Sequence, residues 1–104
     1  MIFRRRRFAD LISRQLDLFE RDHVDVIEEA RAKLALYDAA ERDEAEELYG
    51  DYTDAVETGT EILADVRDTY ARTLGDDAVE RYEREFNRAV ARRLPRFALE
   101  LENR

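Results

Sequence analysis

The sequence predicts an all-α protein, folded as an elongated, antiparallel, up-down-up bundle of three helices. Apolar residues recur at the three- and four-residue spacing of a helix through most of the chain. Charged residues make up 42% of the 104 residues and apolar residues 44%, which is typical of long helices with one wet and one dry face. Only three Gly and one Pro are present, so turns are few. We expect a basic arm at residues 1–7 and a single domain at residues 8–104.

The first predicted helix spans about residues 8–37. Its apolar arc contains Phe8, Ile12, Leu16, Phe19, His23, Val26, Ile27, Ala30, Leu34 and Tyr37. A second apolar line, formed by Leu11, Leu18 and Leu36, lies beside this arc. The apolar surface is therefore wider than one partner helix covers, which predicts contact with two neighbours.

The second predicted helix spans about residues 39–74. Asp38 followed by Glu41 resembles a capping box, which places the boundary there. The apolar stripe passes through Gly50 without a change of phase, so we expect a continuous helix. The alternative is a break at Gly50, which would give four helices. Gly59 lies at the centre of the stripe, where it admits either a close partner backbone or a large neighbouring side chain.

The third predicted helix spans about residues 77–102. Gly75 is expected to take the left-handed conformation that ends the preceding helix, and Asp77 with Glu80 repeats the capping pattern. Pro95 cannot donate a backbone hydrogen bond, which predicts a kink near Pro95. Arg93, at the edge of this apolar stripe, is positioned to reach a carboxylate.

Several classes of enzyme are disfavoured by the residues present. The absence of Cys excludes thiolate nucleophiles, disulfides and Cys-ligated metals. Ser13 and His23 are ten residues apart, about 15 Å along one helix, and cannot form a nucleophile–base pair there. The three glycines form no phosphate-binding loop. No apolar run approaches the roughly 20 residues of a membrane span. We therefore predict a protein that is not an enzyme, with a cytoplasmic location.

Charge suggests one possible ligand site, at the N-terminus. The net charge of −8 argues against nucleic-acid binding by the body of the protein, because phosphate binding requires a basic surface. Four consecutive arginines, Arg4, Arg5, Arg6 and Arg7, are the exception. The arm suits peripheral association with an anionic membrane or with nucleic acid, and a solvated arm is the alternative.

Glu20 and His23 have the Glu-x-x-His spacing that ferritin-like bundles use to bind metal. The other helices offer too few inward acids for a site within one chain. Iron or another divalent metal would therefore need a site shared between chains. The alternative is that His23 is a core or interface histidine with a hydrogen-bond partner.

The leading hypothesis is a non-enzymatic interaction or structural module, most simply a homodimer that completes a larger helical bundle. The wide apolar face of the first helix supports it, because exposed apolar surface commonly marks a partner site. The candidate interface residues are Leu11, Leu18, Leu36, His23, Tyr49 and Gly59.

Overall fold

The computed structural model describes residues 7–104, which form five α-helices and one 3₁₀ turn. The helices are α1 (Ala9–Asp22), α2 (Val24–Asp38), α3 (Ala45–Ala71), α4 (Asp76–Arg93) and α5 (Ala98–Glu102), with the turn at Pro95–Phe97 before α5. No strand occurs in these residues, so the all-α prediction is confirmed. The shape is elongated, at 54 × 23 × 22 Å. Within the same range, every helix is too short or too polar to cross a membrane.

The predicted count of three helices is wrong because the first of them breaks at His23 and the third breaks at Leu94. The backbone leaves helical geometry there, with φ of −127° and ψ of 37°. On one side of the break α1 packs against α4, and on the other side α2 packs against α3. The sequence contains no Gly or Pro at this point, and the apolar phase continues across it. The break instead allows the two segments to lie against different helices.

The second predicted helix begins later than expected, at Ala45. Asp38 is the last residue of α2 rather than a cap, and residues 39–44 form the connection. From Ala45 the helix runs to Ala71 without interruption. The prediction of a continuous helix through Gly50 is therefore confirmed.

The boundary at Gly75 is confirmed, but its predicted geometry is wrong. Gly75 has φ of −76° and ψ of 165°, which is extended rather than left-handed, and it precedes α4. Its carbonyl accepts hydrogen bonds from the backbone N–H groups of Ala78 and Val79. The chain departs from the α-helix at Leu94, where φ is −137°, and Pro95 then opens the 3₁₀ turn. The expected kink is thus a break, since the residue before a proline is disfavoured from helical geometry.

The helices divide the molecule into two parts along its length. In the first part α2 lies antiparallel to the first half of α3, and we call this pair the hairpin. In the second part α1, α4 and the second half of α3 pack together, and we call this the bundle. After α4 the chain reverses direction, and α5 lies between α3 and α4. Two contacts show this: the Phe97 ring, just before α5, lies on Gly59, and the Leu101 carbonyl accepts from Arg67, eight residues further along α3.

Nearly all the buried residues belong to the bundle. Its fully buried large side chains are Tyr82, Phe86, Phe97, Leu16, Leu63, Leu101 and Val90. Aromatic contacts link the helices: the Phe8 and Tyr82 rings meet edge-on at 5.4 Å, and Phe19 meets Phe97 at 6.2 Å. The hydroxyl of Tyr82 donates to Oε1 of Gln15 on α1 at 3.0 Å. Hydrophobic burial therefore stabilises the bundle far more than the hairpin.

Substitution of Gly59 by alanine tests the close approach of the Phe97 ring to α3. A Cβ atom at Gly59 would lie 2.9 Å from Cζ of Phe97 and 3.0 Å from Cδ1, inside van der Waals contact. The ring is fully buried and has little room to move. We expect Gly59→Ala to lower the free energy of unfolding by about 1–3 kcal/mol, measured by chemical denaturation.

Gly50→Ala is the matched control in the same helix. No atom lies within 4 Å of a Cβ built at Gly50. Alanine is favoured over glycine in a helix interior, so this variant should gain up to about 1 kcal/mol. Equal stabilisation by both substitutions would show that Phe97 does not lie on Gly59.

Burial of Tyr82 predicts a loss of stability in alkali. Burial raises the pKa of Tyr82 from 10.0 to about 12, because the phenolate is disfavoured away from water. The resulting stabilisation is complete below pH 10 and is lost as the pH rises from about 10 to about 12. Denaturation measured between pH 8 and pH 12 should show this loss in the wild type and less of it in Tyr82→Phe. An unchanged alkaline profile in the variant would contradict the assignment.

Candidate interaction surfaces

The hairpin is a single layer of two helices, joined by contacts between tyrosine rings. Its ring contacts join Tyr37 of α2 to Tyr49 of α3 at 5.1 Å, and Tyr49 to Tyr52 at 6.2 Å. Ala30 is the single buried residue of α2, and α3 buries nothing before Val56. The hairpin therefore lacks the second layer that would cover its apolar side chains.

Five large apolar side chains are exposed in the described residues, and three belong to the hairpin. Val24 is 55% exposed, Leu36 52% and Tyr49 50%. The other two are Leu18 on α1, at 46%, and Leu99 on α5, at 73%. Three of the six predicted interface residues (Leu18, Leu36 and Tyr49) thus reach solvent, as an interface requires.

The remaining interface candidates are less accessible. Leu11 is half-buried and packs against the core. Gly59 is buried beneath the Phe97 ring, which is the intramolecular alternative that the sequence left open. His23 is half-buried at the α1–α2 break, where its ring lies 5.5 Å from that of Phe19. The predicted place of His23 in the middle of a helix is therefore wrong.

Glu20, the possible metal ligand, already has a cationic partner. Nη2 of Arg93 lies 2.9 Å from Oε1 of Glu20 and 2.8 Å from Oδ1 of Asp17. Nη1 of Arg93 donates to the Ser13 carbonyl at 3.3 Å. Arg93 thus joins α4 to α1, as its position at the edge of the stripe predicts. Residues 7–104 contain no group of three or more His, Cys, Asp or Glu side chains that could hold a metal ion.

A groove of about 320 Å³ runs between α1 and α4. Ala9, Ile12 and Ser13 line it on the α1 side, and Arg88 and Arg92 line it on the α4 side. His23 is absent from its lining, so Ser13 has no imidazole there to act as a general base. The groove is distinguished by its guanidinium groups.

The arginines of the groove belong to a longer set on α4. We call the exposed residues Arg81, Arg84, Arg88 and Arg92 the arginine row. No carboxylate of the described residues lies within 4.0 Å of their guanidinium groups, although six other basic side chains are paired with an acid. The row was not predicted from the sequence, because its arginines are separated along the chain and the net charge of the protein is −8.

The N-terminal arm joins the bundle close to this row. Arg4, Arg5 and Arg6 lie outside the described residues. Arg7 is exposed, and its guanidinium carbon lies 5.2 Å from the centre of the Phe8 ring. Phe8 is buried, and its backbone N–H donates to Oε1 of Glu85 on α4 at 3.3 Å. The arm is therefore attached beside the middle of α4.

Arg67 is a second residue that was not predicted from the sequence. The residue is 4% exposed, and Nη1 donates to Oδ1 of Asn87 at 3.0 Å and to the Leu101 carbonyl at 3.2 Å. Nε donates to Asp68 at 2.8 Å. A charged residue four positions after Leu63 lies within the apolar stripe, and this was the available signal. Arg67 has a structural role, since it joins α3 to α4 and satisfies a carbonyl near the end of α5.

Comparison of the chain with protein-family models, curated proteins and solved structures found no match.

Arg67→Met tests the buried hydrogen bonds. Methionine fills similar space but leaves the Asn87 side chain and the Leu101 carbonyl without their donor. We expect the free energy of unfolding to fall by about 2–3 kcal/mol, because these bonds are charge-assisted and shielded from water. Arg72→Met is the control, since Arg72 is exposed and its side chain reaches only Thr69. Its effect should be within about 0.5 kcal/mol. Equal losses in the two variants would contradict the role assigned to Arg67.

Proposed function

We propose that this protein is a non-enzymatic module that acts by self-association, with the hairpins of two copies packing into a four-helix bundle. The observation that carries the proposal is the exposure of Val24, Leu36 and Tyr49 on a pair of helices with almost no core of its own. The cytoplasmic location stays a prediction from the sequence.

The energetics of the hairpin favour such a partner. Isolated helices of about 15 residues are marginal in water, and most helices in proteins are stabilised by packing. α2 has 15 residues and one buried side chain. A second hairpin would cover the exposed leucine and tyrosine with surface of the same kind. Two antiparallel helix pairs joined by short loops are also a common way to build a four-helix bundle.

Charge determines how this association depends on salt. The segment 24–58 contains twelve acidic and three basic residues, so two hairpins repel each other at long range. Salt screens charges on exposed surfaces, and the Debye length falls from about 30 Å at 0.01 M to about 8 Å at 0.15 M. Association through the apolar faces should therefore become stronger as salt is added.

The other two hypotheses from the sequence differ in support. Nothing in the described residues favours a metal at Glu20 and His23, because Glu20 is paired with Arg93. The hypothesis of an anionic partner for the N-terminal arm gains support from the arginine row on α4.

Light scattering after size-exclusion chromatography tests self-association. We expect dimer at about 100 µM protein, with the dimer fraction rising between 0.05 and 0.5 M NaCl. Leu36→Gln combined with Tyr49→Gln should abolish the dimer, since both changes place amides in the dry interface. A wild-type protein that stays monomeric at both salt concentrations would refute the proposal.

Leu18→Gln is the matched control, because Leu99 lines a groove together with Tyr49. Leu18 is 46% exposed and lies on α1, outside the hairpin. Its substitution should leave the dimer fraction unchanged. Loss of the dimer in this variant would place the interface on the bundle, and dimerisation that weakens with salt would exclude pairing of the two acidic hairpins.

A further inference from the structure

We propose that the arginine row of α4 binds the phosphate backbone of double-stranded nucleic acid without regard to sequence. The inference is independent of self-association, since it concerns the bundle rather than the hairpin. It rests on the alignment of the row, the lack of ion pairs along it, its distance from the acidic end of the molecule, and the chemistry of the surrounding surface.

The four arginines form one line. Their spacing of three, four and four residues places them within an arc of about 80° on the exposed side of α4. Along the helix axis the row extends about 16 Å. Arginine suits phosphate because its planar guanidinium donates two parallel hydrogen bonds and stays charged at all relevant pH values. The row can therefore contact several consecutive phosphates.

Acids of the same helix border the row without neutralising it. Glu85 accepts the Phe8 backbone N–H, which engages one of its oxygens. Glu80 lies on the other border, four residues before Arg84, and Asp77 lies in line with the row, one turn before its first arginine. Neither forms an ion pair with the row in the described structure. An exposed helix commonly pairs such residues. Four guanidinium groups thus remain available to an external anion.

The negative charge of the protein is concentrated far from the row. Residues 41–47 at the hairpin loop contain five acids and one Arg, whereas residues 1–23 and 59–104 together contain fourteen acids and fifteen basic residues. Arg67 contacts Asn87, next to Arg88, and α3 rises about 33 Å between Ala45 and Arg67. That distance is about four Debye lengths at 0.15 M salt, so the loop acids are screened at the row. The net charge of −8 therefore does not exclude binding of a polyanion by the bundle.

The composition of the α4 surface favours nucleic acid over a membrane. Helices that lie on membranes bury large apolar side chains beside their basic residues. None of the exposed large apolar residues in the described chain lies on α4. The aromatic residues of α4, Tyr82 and Phe86, are fully buried and cannot stack on bases. Binding of single strands commonly depends on such stacking, so a duplex backbone is the better fit.

Fluorescence anisotropy with a labelled 24-base-pair DNA duplex of mixed sequence tests the proposal. Four phosphate contacts predict a logarithmic salt slope of about −3.6, which is an affinity loss of about 150-fold between 50 and 200 mM NaCl. Reversal of the charge at two positions, in the variant Arg84→Glu/Arg88→Glu, should weaken duplex binding at 50 mM salt by at least about tenfold. The slope should fall in magnitude by about 1.8.

The matched control is Arg31→Glu/Arg42→Glu, which makes the same change in net charge on the hairpin. It should bind the duplex as the wild type does, and circular dichroism should show both variants folded. The milder Arg84→Gln/Arg88→Gln covers the case in which charge reversal unfolds the protein. Equal weakening by the row and control variants, or no duplex binding by the wild type, would overturn the proposal.

Two further probes separate other anions from a duplex. Vesicles that contain phosphatidylserine should bind more weakly than the duplex, and a 24-nucleotide oligothymidylate should bind no more tightly than the duplex. Preference for vesicles would assign the row to a membrane, and preference for the single strand would overturn the duplex assignment. Because self-association is measured without DNA, failure of either proposal leaves the other testable.

Discussion

The approach of the Phe97 ring to the backbone of Gly59 is the contact on which the arrangement of the bundle depends. A larger residue at Gly59 would push the ring away, and α5 would then lose its place between α3 and α4. With α5 in position, the Leu101 carbonyl meets the buried Arg67, which also holds Asn87 of α4. The small residue at Gly59 thus allows α5 to pack against α3, and the packed α5 supplies a partner for the buried guanidinium. A tightly packed interior offers few alternative arrangements, so these contacts depend on one another.

The same closure explains why the hairpin remains half-covered. α4 and α5 pack mainly on the second half of α3, and only Arg96, Leu99 and Glu100 approach its first half, beside Tyr49. The molecule therefore divides into a well-packed end and an end made of one layer. Acidic residues are concentrated at the single-layer end, and unpaired arginines lie on the packed end. The single-layer end therefore presents apolar side chains surrounded by acids, and the packed end presents a cationic surface.

Part of the candidate surface could be inferred from the sequence. Leu18 and Leu36 lie off the main apolar arc of their predicted helix, and both are exposed. Tyr49 likewise lies off the apolar stripe of its predicted helix, and it is exposed. The arginine row was equally visible on a helical wheel, but its meaning depended on which carboxylates lie within reach, and this is a property of neighbouring helices. The pairing of Arg93 with Asp17 and Glu20 joins residues more than 70 positions apart.

The sequence by itself determined the all-helical class, the apolar stripes, the continuity of α3 through Gly50 and a boundary at Gly75, because helical periodicity and the scarcity of Gly and Pro are local properties. Only the tertiary structure decided the break at His23. No local signal marks that residue, and the helix breaks there so that α1 can lie on α4 while α2 lies on α3. The tertiary structure also decided which side chain covers Gly59 and which groups Arg67 contacts. A stripe shows which side of a helix is dry, whereas packing between distant segments decides what covers it.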